Sequence, residues 1–271
     1  EGSGQVVGSG GGLLARFVMG KNVALVGDTQ GLWAEYVVVP AGRVLPLPAD
    51  MPLGVGASSF VNPLTAMALV GEARRAGLRS AISTAAGGAL GAMIRRRAQE
   101  QGVVIINIVR RDEQVEALKA EGAAHVLNET APDFDVTLAA LCKELRCKIA
   151  FDAVAGPLTL RIGQALRSGG QILVYGGLSG LPASVHPGTM IFKGLTVRGF
   201  WLSQWLARKS VPQMLLMTRQ VTKALQGGFA QTQIAREVPL DQAATAPAEY
   251  EAQMSAGKIL ISTGAFPLGL T

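Results

Sequence analysis

The densest chemical signal in this chain is a run of small residues, Thr84-Ala85-Ala86-Gly87-Gly88-Ala89-Leu90-Gly91. It has the form A-x-x-G-x-x-G. Such a turn lets backbone approach a pyrophosphate closely and sets the phosphates at the positive end of the helix that follows. A glycine-rich turn alone is weak evidence. This one follows a short apolar strand at Ala81–Thr84 and opens a helix running to Gln101, which is the context the chemistry requires.

The next strand, Val103–Val109, ends in Arg110-Arg111, with no acid until Asp112. A ribose 2′-hydroxyl is usually held here by Asp or Glu. Two guanidiniums instead suit a 2′-phosphate, because each donates parallel hydrogen bonds to its oxygens. The competing reading is a solvated arginine pair at a helix start, although that placement opposes the helix macrodipole. Two later strand ends, Asp152-Ala153-Val154-Ala155-Gly156 and Tyr175-Gly176-Gly177-Leu178, fall where doubly wound sheets bind ligands. Tyr175 and its glycines would let a nicotinamide lie against backbone, or would form a simple turn.

These motifs need a scaffold, and the pattern supplies one. Residues 1–50 are glycine-rich with short β-like runs at Gln5–Val7, Asn22–Val26 and Trp33–Val39 and no helical period, as in part of a small antiparallel β-domain. Pro46, Pro48 and Pro52 mark a linker, and a helix is predicted from about Pro63 to Arg74. Strands and helices then alternate. Strands are expected at His125–Leu127, Lys148–Asp152, Gln171–Tyr175 and Leu195–Phe200 after the first two. Helices are expected from Asp112, its predicted cap, to Gly122, and over Asp133–Leu145 and Pro157–Leu166. Six strands with intervening helices make a doubly wound parallel sheet. Helices at Val211–Gln226 and Asp241–Met254 and a strand at Lys258–Ser262 follow, the last two expected to return to the β-domain. In the helix after the glycine turn, Met93, Ile94, Arg97 and Ala98 share the sheet-facing stripe. Arg97 must therefore pair or snorkel, since an unpaired buried charge costs several kcal/mol.

Composition narrows the function classes. Hydrophobic residues make up 49% and aromatics only 5%, so the core is aliphatic. No apolar run approaches the ~18 residues a membrane span needs; Val103–Val109, broken by Asn107, is far short of it. The net charge is +6, but Lys and Arg are dispersed with no aromatic-interleaved stripe, so no nucleic-acid partner is expected. Cys142 and Cys147 form neither a disulfide framework nor a zinc site. Glu1–Val7 reads as the middle of a β-domain, with no targeting signal, and further residues upstream are expected.

In order along the chain, Glu1-Gly2-Ser3-Gly4, Trp33-Ala34-Glu35-Tyr36, Asn62-Pro63-Leu64-Thr65-Ala66, the glycine turn and Gly257-Lys258-Ile259-Leu260 resemble the medium-chain dehydrogenase/reductase superfamily. Ile106–Arg110, Tyr175-Gly176-Gly177, Phe192-Lys193 and Arg198-Gly199-Phe200-Trp201-Leu202-Ser203-Gln204-Trp205 resemble, more narrowly, its mitochondrial-type 2-enoyl thioester reductases and quinone oxidoreductases. The resemblance implies a partial GroES-like β-domain over 1–55, an NADP-binding Rossmann domain over 56–235 and a return to the β-domain over 236–271. It implies NADPH as cofactor. Asn62 would lie near the nicotinamide, Gly87, Gly88, Ala89, Leu90 and Gly91 would hold the pyrophosphate, and Arg110 and Arg111 the 2′-phosphate. Tyr175, Gly176, Gly177, Leu178, Phe200, Trp201, Leu202 and Lys258 would complete the cleft. Trp205 is a possible cleft residue or plain core. The tyrosine that such reductases use on the thioester enolate would precede Glu1, and no tyrosine here matches it.

With only His125 and His186 and no four-cysteine lobe between Gly20 and Glu35, zinc catalysis is not expected. The implied reaction is hydride transfer to an activated C=C bond of a trans-2-enoyl thioester. A quinone or enone reductase on the same scaffold is the alternative, and a non-catalytic nucleotide-binding or structural subunit is a third reading. A small-molecule substrate, no membrane partner, a homodimer through an edge strand of the large sheet, and a cytoplasmic or, with a transit peptide, mitochondrial location complete the expectation.

Overall fold

The computed structural model describes residues 1–27, 31–229, 232–252 and 256–264. The chain divides into two units, Glu1–Leu64 with Lys209–Thr271, and Thr65–Arg208.

In the first unit, β1 (Gly2–Gln5), β2 (Asn22–Leu25) and β3 (Val44–Pro46) form an antiparallel sheet, with Gly2 opposite Leu25 and Val23 opposite Pro46. Val18, Val23 and Leu25 are buried against one another, with Val18 supplied by a short helix, α1 (Leu13–Val18). That helix falls where no helical period was predicted; at six residues it is too short for a period to be read. Trp33–Val39 is also not a strand. Only Tyr36–Val39 alternates, with Val37 and Val39 packed inward and Tyr36 and Val38 exposed, while Trp33 to Glu35 are exposed throughout, and no described segment offers the backbone a ladder. A strand is defined by its partner as much as by its side chains. The proline-rich stretch holds β3 and a single turn of helix, α2 (Leu53–Gly56).

The helix predicted from Pro63 is α3 (Val61–Arg75). In the second unit it is followed by β4 (Ser80–Ser83), α4 (Ala89–Glu100), β5 (Val104–Val109), α5 (Asp112–Ala120), β6 (His125–Asn128), α6 (Phe134–Glu144), β7 (Ile149–Asp152), α7 (Gly156–Ala165), β8 (Gln171–Val174), α8 (Pro187–Lys193), β9 (Thr196–Gly199) and α9 (Leu202–Ala207). The six strands are all parallel in the order β6-β5-β4-β7-β8-β9. The order reverses between β4 and β7, the switch point where such sheets bind ligands. From Ile105 onward every residue of β5 is buried, as in a strand covered on both faces. One face packs Ile82, Ile106, Ile108, Phe134, Leu138 and Ile162 into the main core; Ala86, Val109, Leu118 and Val126 fill the other. Arg97 is half-buried and donates to Glu100 at 2.8 Å, so the arginine on the apolar stripe pairs at the surface.

The cap of α5 is Arg111, not Asp112. Asp112 is the first helical residue, and its carboxylate accepts from Asn128 Nδ2 at 2.7 Å. The chain continues with α10 (Val211–Gln226), β10 (Ile234–Pro239), α11 (Ala246–Ala252) and β11 (Lys258–Ser262), the two strands pairing in parallel. The helix read as Asp241–Met254 is a 3-10 segment over Leu240–Thr245 followed by α11, and its predicted end at Met254 lies outside the described residues.

Candidate functional site

Because the six strands are parallel, their C-terminal ends form one edge, and the motifs singled out in the second unit lie along it. The glycine turn leaves β4 there. Thr84 N–H donates to the Phe151 carbonyl at 3.1 Å and Ala86 N–H to the Ile108 carbonyl at 3.1 Å, so the turn is tied to β7 on one side and β5 on the other. Gly88 caps α4 with extended backbone; no side chain caps that helix and its first turn holds no acid. Its positive end therefore has no compensating acid in its own first turn. Gly91 has a stricter duty: a Cβ there would sit 2.4 Å from the Ala86 carbonyl oxygen, so only glycine lets the helix fold back against its own turn. Arg95, one turn along α4, donates to that Ala86 carbonyl and to Glu121 at 2.6 Å, bracing the turn from behind.

A polar lock not anticipated from sequence sits under the turn. Asp152, fully buried at the end of β7, accepts from the Thr84 hydroxyl at 3.0 Å, the Thr159 hydroxyl at 2.7 Å, and the N–H groups of Val154 at 2.9 Å and Ala155 at 3.1 Å. Thr84 Oγ1 in turn accepts from Ala153 N–H at 2.7 Å. A buried carboxylate is tolerable only with its oxygens satisfied in this way. The lock holds Ala155 at φ 62°, ψ −150°, a region essentially reserved for glycine. Spacing carried no signal for it, since Thr84 and Asp152 are 68 residues apart.

Arg110 and Arg111 are exposed at the end of β5, with Arg110 N–H donating to Gln114 Oε1 at 3.3 Å. Gln114 Nε2 lies 3.1 Å from where a Cβ on Gly87 would stand, so this side chain bridges the glycine turn and the arginine pair. On the other side of the switch point, Tyr175 N–H donates to the Asp152 carbonyl at 2.9 Å and Leu178 N–H to the Ala153 carbonyl at 3.0 Å. A Cβ on Gly176 would come within 2.8 Å of the Ala153 oxygen, so this close approach also demands glycine. Burial, and after it the Asp152 charge, push the half-buried Tyr175 phenol well above its ordinary value. Phe200 N–H donates to the Val174 carbonyl at 2.8 Å. Phe200 and Leu202 are buried, whereas Leu178 and Trp201 present exposed apolar surface.

Trp205 is half-buried; its indole N–H donates to Glu72 at 3.4 Å and its ring meets Phe200 at 6.5 Å between centroids. Glu72 also binds Arg75 and Arg198. Trp205 thus ties α9 to α3. Asn62 and Lys258 belong to the first unit. Asn62 is half-buried in the first turn of α3. Lys258 lies over the Tyr250 ring at 5.6 Å and lines, with Tyr36 and Trp33, a cavity of about 830 Å³ within that unit.

Among the described residues no three His, Cys, Asp or Glu side chains come together to hold a metal ion. His186 caps α8, its Nδ1 accepting from Gly188 N–H at 3.1 Å. Cys142 and Cys147 are buried in the main core, where a hydrogen bond to Cys147 and burial push the Cys142 thiol up.

The sequence profile of the family described as zinc-binding dehydrogenase matches residues 89–219. The mitochondrial enoyl-[acyl-carrier-protein] reductase of Arabidopsis thaliana is 31% identical over 192 residues, covering 68% of this chain and 51% of its own. That of Bos taurus is 29% identical over 249 residues, covering 89% of this chain and 65% of its own. The chain therefore spans between about half and two thirds of the length of these relatives. Among solved structures, a protein provisionally named an NADPH:quinone reductase from Mesorhizobium loti matches with a TM-score of 0.84 and 35% identity over 96% of this chain and 76% of its own. A mutant form of enoyl thioester reductase from Candida tropicalis, at 22% identity and a TM-score of 0.73 over 90% of this chain and 74% of its own, shares the fold.

Proposed function

The chain belongs to the medium-chain dehydrogenase/reductase superfamily, and we propose that it acts as an NADPH-dependent oxidoreductase reducing an activated C=C bond, of the trans-2-enoyl thioester class, without zinc. The observation that carries this reading is the uncapped α4 N-terminus behind a turn where Gly91 cannot bear a Cβ, one strand away from Arg110 and Arg111. That cradle fits a pyrophosphate and a 2′-phosphate. Gly87, Gly88, Ala89, Leu90 and Gly91 would hold the former, and the two arginines the latter. Tyr175 to Leu178 and Phe200 to Leu202 would wall the nicotinamide. NADPH, when bound, supplies the hydride; the chain's own work is to orient it and keep its surroundings dry. Exposed Leu178 and Trp201 suit an apolar acceptor.

The thioester acceptor is supported by the names of the curated relatives, which also favour the mitochondrial of the two expected compartments. A second reading, quinone reduction, is supported by the name of the Mesorhizobium loti protein, which matches at higher identity and coverage. β9 is an edge strand beside exposed Met190, Ile191 and Phe192, which supports pairing of two copies into a homodimer. Light scattering giving a monomer at high micromolar concentration would remove that part.

Calorimetric titration with NADPH and with NADH tests the cofactor. In Arg110→Ala/Arg111→Ala, NADPH binding is expected to weaken by about 1.5–3 kcal/mol per charged hydrogen bond lost, with NADH hardly changed. Equal losses for both nucleotides would contradict the assignment. Turnover of enoyl thioesters against quinones then decides the acceptor.

A further inference from the structure

The end of β5 has a neighbour hidden in the linear sequence. β5 and β6 run parallel with Val109 opposite Asn128. One step beyond, Arg110 stands beside Glu129, whose N–H donates to the Val109 carbonyl at 2.8 Å. Side chains at one level of adjacent strands share a face, with the strands about 5 Å apart. Arg161 of α7 holds this corner: its Nη1 donates to the Glu129 carbonyl at 2.8 Å and its Nε to Asp135 at 2.7 Å. Asp112, the first acid after the arginines in sequence, is occupied by Asn128. The acid beside Arg110 comes from the next strand.

Glu129 is half-buried. The charged groups facing it are Arg110 at the end of β5, Arg161 on α7 and Asp152 at the end of β7. Burial pushes its carboxyl up, the two arginines pull it down, the Asp152 charge raises it, and the balance lies above the ordinary value. A carboxylate held here has the same sign as a ribose 2′-phosphate and answers to the same guanidinium. Partial burial also reduces the screening that would mute it.

We propose that Glu129 is a specificity-determining residue acting against Arg110. Its carboxylate repels a 2′-phosphate and accepts from a 2′-hydroxyl, so it trims the preference for NADPH over NADH that the arginine pair alone would set. The proposal rests on the reading of the glycine turn and arginine pair as a dinucleotide site.

The test is titration of the full chain and of Glu129→Gln with NADPH and NADH at fixed salt and pH. The amide keeps the shape and removes the charge. NADPH is expected to bind about 3- to 10-fold more tightly to the variant, with NADH unchanged or weaker. Weaker NADPH binding by the variant would mean that Glu129 holds Arg110 in place, and equal tightening of both nucleotides would mean no discrimination at the ribose; either overturns the proposal. No binding of either nucleotide by the folded wild-type chain would instead remove the dinucleotide reading itself. Glu129→Ala, read in the same way, serves if the amide disturbs the fold.

Discussion

Thr84, where the glycine turn leaves β4, donates its hydroxyl to the Asp152 carboxylate at 3.0 Å and accepts the Ala153 N–H at 2.7 Å. One small side chain thereby joins the two strands that flank the switch point, and the same carboxylate satisfies the backbone at Val154 and Ala155. The shape of the turn and of the β7 exit is set by this shared lock.

Thr84→Val is expected to destabilise the chain by about 1–3 kcal/mol, because it leaves the buried Ala153 N–H without its acceptor and removes one of the three donors to Asp152 Oδ1. Thr84→Ser should keep most of the stability. Denaturant unfolding of the two variants beside wild type checks this, and an equal loss in both would mean that the hydroxyl hydrogen bonds do not account for it.

Ala155→Gly is expected to stabilise. The conformation at φ 62°, ψ −150° costs an alanine on the order of 1–3 kcal/mol. Glycine adopts it freely, at an entropic cost of roughly 0.5–1 kcal/mol. A melting temperature unchanged or lowered in the variant would show that Ala155 is not strained.

Gly91→Ala drives a methyl to 2.4 Å from the Ala86 carbonyl, and neither backbone segment can yield cheaply. Overpacking of this kind costs about 1–3 kcal/mol. The displaced turn is also expected to lose nucleotide affinity while far-ultraviolet circular dichroism stays native-like. Retained NADPH affinity would mean that the turn is not the pyrophosphate cradle.

Tyr175 gives a pH dependence. Its phenol is raised in the folded chain by burial and by Asp152, so the folded state holds the proton after an unfolded tyrosine, near pH 10, has lost it. The stability it contributes is complete below about pH 10 and is lost as pH rises above that value. Unfolding free energies measured from pH 8 to 11 should fall less steeply for Tyr175→Phe than for wild type; parallel curves would refute the assignment.

Features that are local or periodic can be read from the linear chain. The buried apolar run of β5 announces a strand covered on both faces, the glycine spacing announces a turn that opens a helix, and Arg110-Arg111 can be read because adjacency survives folding. An element that depends on a partner leaves a weaker trace in the sequence. Trp33–Val39 has the aromatic and β-branched residues of a strand but no described backbone to pair with, and α1 is too short to show a period. Which distant polar groups meet is settled in three dimensions. Thr84 reaches Asp152 across 68 residues, and Glu129 reaches Arg110 through the parallel register of β5 and β6. Those pairings follow from strand order and register, which the core fixes through nonlocal packing, so no spacing along the chain records them.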